Sequence, residues 1–124
     1  MKPYRLTKKI AIKSHGEELI GILNASGVLT DSRLIIKEPG FSAFSMKDGT
    51  ILEIFGPGHV HPDFLFEKGD VVPSFKVDDL SNTVRHLVAK GIAIPDGIQK
   101  VTQTYSYCYA RFNSGLVVGF YQEK

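Results

Sequence analysis

The sequence predicts an α+β chain of two tandem βαβββ modules, and three observations lead there. Two helical stretches carry start and stop signals, each is preceded by a short alternating strand, and each is followed by strand-rich sequence broken at turn residues. Matching the two helix starts, Ser14 and Asp79, gives a shift of 79 − 14 = 65, which carries Ile10 onto Phe75 and Ile12 onto Val77. The helix ends Ala25-Ser26-Gly27-Val28 and Ala89-Lys90-Gly91-Ile92 agree at a shift of 64. Caps, stops and last hairpins that agree in one order favour an internal duplication over chance.

In chain order, Ile10 and Ile12 alternate with Ala11 and Lys13, as a strand requires. Ser14-His15-Gly16-Glu17 then forms a capping box, in which the hydroxyl accepts from first-turn amides while Glu17 reaches back. Leu19, Ile20 and Leu23 recur at helical spacing and Gly27 supplies the stop, so the first helix spans about 15–26. Strands follow at 33–37, 41–46 and 51–55, divided by Pro39-Gly40 and Asp48-Gly49. The connector, rich in Pro and Gly, runs to Asp70.

Phe75 and Val77 open the second copy, and Asp78 or Asp79 offers its N-cap. Leu80, Val84, Leu87 and Val88 mark one helical face, with Gly91 closing the helix after Lys90. A weaker strand at 98–102, a strand at 105–112, the turn Asn113-Ser114-Gly115 and a strand at 117–121 complete it. Module one thus covers about 6–57, the connector 58–70 and module two 71–122, within one domain of residues 1–124.

The composition, 43% hydrophobic and 23% charged, is that of a globular protein and excludes wholesale disorder. A net charge of +2 with a pI near 8.7 is too small and too scattered an excess for a nucleic-acid surface. No apolar run approaches the roughly 20 residues of a membrane span, and the start Met1-Lys2-Pro3-Tyr4-Arg5 does not resemble a signal peptide. The single cysteine, Cys108, forms no intrachain disulfide. A cytoplasmic protein is expected.

The run Val71-Val72-Pro73-Ser74-Phe75-Lys76-Val77-Asp78-Asp79-Leu80, the helix end Lys90-Gly91-Ile92 and the hairpin Asn113-Ser114-Gly115-Leu116-Val117-Val118 resemble the second half of a vicinal oxygen chelate protein. That superfamily includes glyoxalase I, extradiol dioxygenases and bleomycin-resistance proteins. The resemblance covers nearly the whole chain and is closer over 71–121 than over 6–57. Asn113-Ser114-Gly115 departs from the family's Asp-Pro-x-Gly hairpin and keeps only its turn glycine. Such a motif identifies a fold and leaves the substrate open. It implies a cupped mixed sheet with the helices on its outer face, and a homodimer, because family members usually pair modules across subunits.

Metal-dependent members draw ligands from the first and last strand of each module. Carried over residue by residue, those positions are Thr7 and Val72 on the first strands and Glu53 and Gly119 on the last. A register two residues away keeps the same face and offers Lys9 or Ser74. Only Glu53 ligates strongly, so no metal and no other cofactor is expected. Glu53 is then either a rim carboxylate paired with lysine or solvent, or a polar anchor or general base in the pocket. His59 and His61 share a face in extended chain but are expected to be exposed loop residues. His86 is expected to be solvated, His15 carries no further signal, and Cys108 is expected to pack beneath a helix.

In this architecture, residues at ligand positions point into the cup. Gly119 and Tyr121 are then expected in the cup, and Phe75, Val77, Leu116, Val118 and Phe120 in the core. Tyr105, Tyr107, Tyr109 and Arg111 alternate with Ser106, Cys108, Ala110 and Phe112. The face of smaller residues fits beneath a helix, which sends the tyrosines and Arg111 into the cup. Three phenols and a guanidinium provide stacking surface, donors and a cation, which suits a planar or anionic organic ligand. A tyrosine ladder also stabilises a half-exposed strand without any ligand.

Two functions follow from the resemblance. One is a metal-free binding protein like the bleomycin-resistance branch, holding an aromatic or anionic small molecule. The other is a metal-dependent lyase, isomerase or dioxygenase with an ion on Glu53 and a connector histidine.

Overall fold

The computed structural model describes residues 8–15, 18–58 and 60–124. Among them are eight strands and two helices, in two units, Lys8–Val72 and Pro73–Lys124.

In the first unit β1 (Lys8–Lys13) leads into α1 (Glu18–Ala25), followed by β2 (Arg33–Glu38), β3 (Phe41–Ser45) and β4 (Ile51–Phe55). β4 returns parallel beside β1, while β2, β3 and β4 pair antiparallel, giving the order β2-β3-β4-β1. Positive φ at the turns is carried by Gly40 (76°) and Gly49 (92°), and Asp48 Oδ1 accepts from the Thr50 amide at 2.9 Å to tighten the second turn. The expected capping box cannot be followed, because Gly16 and Glu17 lie outside the described residues.

The second unit repeats this topology. β5 (Val71–Lys76), whose first two residues fall in the first unit, leads into α2 (Leu80–Ala89); β6 (Gln99–Lys100), β7 (Tyr105–Arg111) and β8 (Val117–Glu123) follow. β8 is parallel to β5, and the order is β5-β8-β7-β6. Two copies of one strand order agree with the duplication and make the chain α+β with mixed sheets. Asp79 caps α2 by accepting from the Asn82 amide at 3.1 Å, and Gly91 follows the helix at φ 81°.

Several sequence expectations change. The strand expected over 98–102 shrinks to Gln99–Lys100, since Thr102 and Thr104 bond each other instead, their hydroxyls 3.2 Å apart. Leu116 is 54% exposed, not core: it belongs to the hairpin turn, and β8 begins only at Val117. Val88 is likewise exposed at the end of α2. Phe75, Val118 and Phe120 are half-buried, whereas Val117 and Tyr121, on the other face of β8, are buried.

Candidate functional site

Because strand side chains alternate, the ladders assign every residue a face. In the second unit Phe75, Phe120 and Cys108 lie in one row, and Gln122 and Ser106 in the next row of that face. This is the helix side, since Gln122 Oε1 accepts from the Leu80 amide at 2.7 Å. The opposite face carries Ser74, Gly119 and Tyr109 in one row, and Lys76, Tyr121, Tyr107 and Gln99 in the next. Tyr105 stands opposite Glu123, and Arg111 opposite Val117, on that same face.

Tyr105, Tyr107, Tyr109, Arg111, Gly119 and Tyr121 therefore share the face away from α2. Their rings form a connected group. Tyr107 lies 5.7 Å from Tyr109 and 6.3 Å from Tyr105, and Tyr105 lies 6.0 Å from Tyr121, centroid to centroid. Such spacings fall in the range of favourable aromatic pairs, each worth about 0.5–1.5 kcal/mol. Tyr105, Tyr107, Tyr109 and Arg111 are half-buried, while Tyr121 is buried at 3% exposure. The end of the row is fixed by the backbone of Arg111, whose amide donates to Ala93 O at 2.9 Å.

Gly119 does not open room, as its missing side chain suggested. A Cβ there would overlap Ser74 Oγ and stand 3.2 Å from Tyr109 Cε1, so its neighbours already fill the space. The glycine sits in close packing, and a side chain at that position would first have to displace the Ser74 hydroxyl.

In the first unit, Ala11, Glu53 and Ala43 form one row, and Lys13, Phe55 and Phe41 the next on the same face. Ile10, Ile12, Leu52 and Ile54 face α1. Glu53 is half-buried and is flanked across both ladders by alanines. Opposite Glu53 on the first strand is Ala11, and opposite Gly119 is Ser74, so these strands correspond at 74 − 11 = 63. That is two residues from the shift of 65 read from the caps, and it leaves every side chain on the same face.

Among the described histidines, His61 departs from expectation. His61 is half-buried rather than an exposed loop residue. Its ring stands edge-on to Phe66 at 5.0 Å and to Phe55 at 6.0 Å, and Nδ1 lies 3.0 Å from Pro62 O. His59 lies outside the described residues. His15, which precedes α1, meets Asp70 at 3.1 Å across 55 positions of sequence, a pair no local pattern announces. His86 is exposed on α2. Cys108 is buried on the helix side at 1% exposure, and burial pushes its thiol up to about 11.

The donor set at the expected ligand positions does not fit a divalent ion. Val72 is apolar and 2% exposed, Gly119 has no donor side chain, Ala11 and Ala43 flank Glu53, and Thr7 lies outside the described residues. Among the described residues no three His, Cys, Asp or Glu side chains gather. Among the same residues, no helix is long and apolar enough to cross a membrane.

No protein-family model and no curated protein matches the sequence. Solved structures do match. A methylmalonyl-CoA epimerase variant from Streptomyces coelicolor, in complex with 2-nitronate-propionyl-CoA, superposes with a TM-score of 0.65 at 14% identity, over 96% of this chain and 99% of that one. A glyoxalase/bleomycin resistance protein/dioxygenase superfamily member from Vibrio splendidus gives 0.63 at 13% identity, over 96% and 100%. A Legionella pneumophila structure described as an NAD-dependent benzaldehyde dehydrogenase gives 0.59 at 16% identity, over 94% and 99%. Three such different descriptions on one fold mean that this likeness carries the fold and not an activity.

Proposed function

Starting from a chain that has the vicinal oxygen chelate fold, we propose that this protein binds a small aromatic or anionic organic molecule on the tyrosine face of its sheet, without a metal ion. The observation that supports this is the row Tyr105, Tyr107, Tyr109 and Arg111, with Tyr121 beside it, on the sheet face away from α2. A planar ligand stacks on the phenol rings and its anionic end meets the guanidinium, whose fixed fork of N–H groups donates two parallel hydrogen bonds to a carboxylate. The protein acts as a single-domain homodimer in the cytoplasm, and the small molecule is its partner. Glu53 serves as a polar contact on its own sheet and not as one ligand of an ion.

Cinnamate, planar and anionic, is a suitable probe. Tyr107→Ala is expected to weaken its binding about tenfold in calorimetric titration, or roughly 1.4 kcal/mol. Equal affinity for the variant and the parent would return the ladder to a purely structural role. Elemental analysis of protein purified without chelator decides the metal question. A stoichiometric divalent ion would replace this reading with a metal-dependent lyase, isomerase or dioxygenase.

A further inference from the structure

The first unit holds a cleft on the opposite side of its sheet from Glu53. It lies between α1 and β2–β4, encloses about 630 Å³, and is lined among others by Ile20, Gly21, Asn24, Lys37, Ser42 and Ile54. That volume falls in the range of pockets that hold small molecules, about 300–1,000 Å³. We propose that this cleft is a second binding site, distinct from the tyrosine face, and that it takes an amphipathic aliphatic monocarboxylate with its head group on Lys37 and its chain along Ile20 and Ile54.

Charge complementarity supports the head group. Lys37 is the cation of the lining, and no carboxylate lines the cleft among the described residues. Its Nζ donates to Ser42 Oγ at 3.3 Å, and Ser42 is itself only 3% exposed, so the ammonium is held towards the sheet. The Asn24 side chain supplies a further amide donor from α1. An ammonium has three donors, and one of them is used here. An anion at the mouth engages the others.

The chain's path is supported by the floor and the roof. Ile54 is buried at 3% exposure beneath the cleft, and Ile20 overhangs it. Gly21 sits in the middle of α1, where glycine costs about 1 kcal/mol relative to alanine. Nothing in its surroundings requires glycine: its φ is not positive, and a Cβ built there meets no atom within 4 Å. A helix-weakening residue with open space before it is accounted for if that space is kept for an occupant. Gly56 and Gly40 also line the cleft; the Gly56 amide donates to Gly40 O at 2.6 Å, and a Cβ at 56 would press on that oxygen at 3.3 Å. That part of the lining is therefore fixed backbone.

Decanoate titrated into the full chain by calorimetry tests the site. The expected result is a tightest site with Kd below about 1 mM, present also in Tyr107→Ala and at least about tenfold tighter than for uncharged decanol. Lys37→Met is expected to remove the preference for decanoate over decanol, Lys37→Arg to keep it, and Gly21→Leu to abolish binding of both. Circular dichroism of each variant verifies folding, and Gly21→Ala should be at least as helical as the parent. Tyr107→Ala should leave decanoate binding unchanged, which separates this site from the tyrosine face. Absence of binding to the parent, or equal affinity for the parent, Lys37→Met and Gly21→Leu, overturns the proposal. A second copy seated in the cleft would appear as concentration-dependent sedimentation abolished by Gly21→Leu, and that result overturns it as well.

Discussion

The two modules share one topology and differ in how their helices are held. α2 begins on a side-chain cap from Asp79, receives Gln122 Oε1 at its first amide, and buries Leu80 at 2% exposure. α1 buries no residue, although Leu19, Ile20, Ile22 and Leu23 make it the more apolar helix. Hydrophobic content alone therefore does not seat a helix. What seats α2 is a hydrogen-bonded start placed over one side chain that fits, and what leaves α1 unseated is an open cleft beneath it with a glycine in its middle turn. The faces away from the helices differ too. In the first unit Phe41, Phe55, Phe66 and His61 cluster through their rings, and in the second the tyrosines and Arg111 present polar edges.

The sharpest way to break this comparison is to truncate one apolar side chain in each helix. Leu80→Ala removes a fully buried side chain and is expected to cost about 2–5 kcal/mol in urea denaturation. Leu23→Ala removes a half-buried one that borders open space, and about 1 kcal/mol or less is expected. Equal losses would mean that α1 is seated as firmly as α2.

A smaller effect isolates the hydrogen-bonded start. Gln122→Ala deprives the Leu80 amide of its acceptor and is expected to cost about 1 kcal/mol. Asp79→Ala should cost a similar amount, about 1 kcal/mol, through the lost cap. The two changes act on the same helix turn, so their double variant should fall short of or exceed the sum. Strict additivity would show that cap and glutamine act independently.

Much of this contrast lay in the sequence, and the part that did not has a physical cause. Turn glycines fixed strand ends because positive φ at Gly40, Gly49 and Gly115 is a local demand. The Asp79 cap was readable for the same reason: it reaches three residues ahead. Period two put the tyrosines and Arg111 on one face of β7, and the family resemblance put Gly119 and Tyr121 of β8 with them. What escaped were contacts between distant positions. Gln122 reaching Leu80 across 42 residues and His15 meeting Asp70 across 55 leave no mark on any short window. The apparent vacancy at Gly119 misled for a related reason, since the atoms that fill it come from Ser74 and Tyr109 on neighbouring strands.

Cys108 offers the mildest probe, since at neutral pH it leaves stability untouched and reports only on opening of the second unit. Its thiol, pushed from 9.0 up to about 11 by burial, stays protonated in the folded chain. A raised folded value means that the unfolded chain releases its proton first as pH climbs. The thiol's share of stability is thus complete below pH 9 and is lost as pH rises through about 11. Iodoacetamide at pH 8 should therefore label Cys108 only when the chain opens, at a rate set by the open population. Leu80→Ala, next to that face, should speed labelling by about tenfold or more, and Leu23→Ala by no more than about threefold. Rapid labelling of the parent would show that the thiol is reachable in the folded state, and the tight seating of α2 over it would then be wrong.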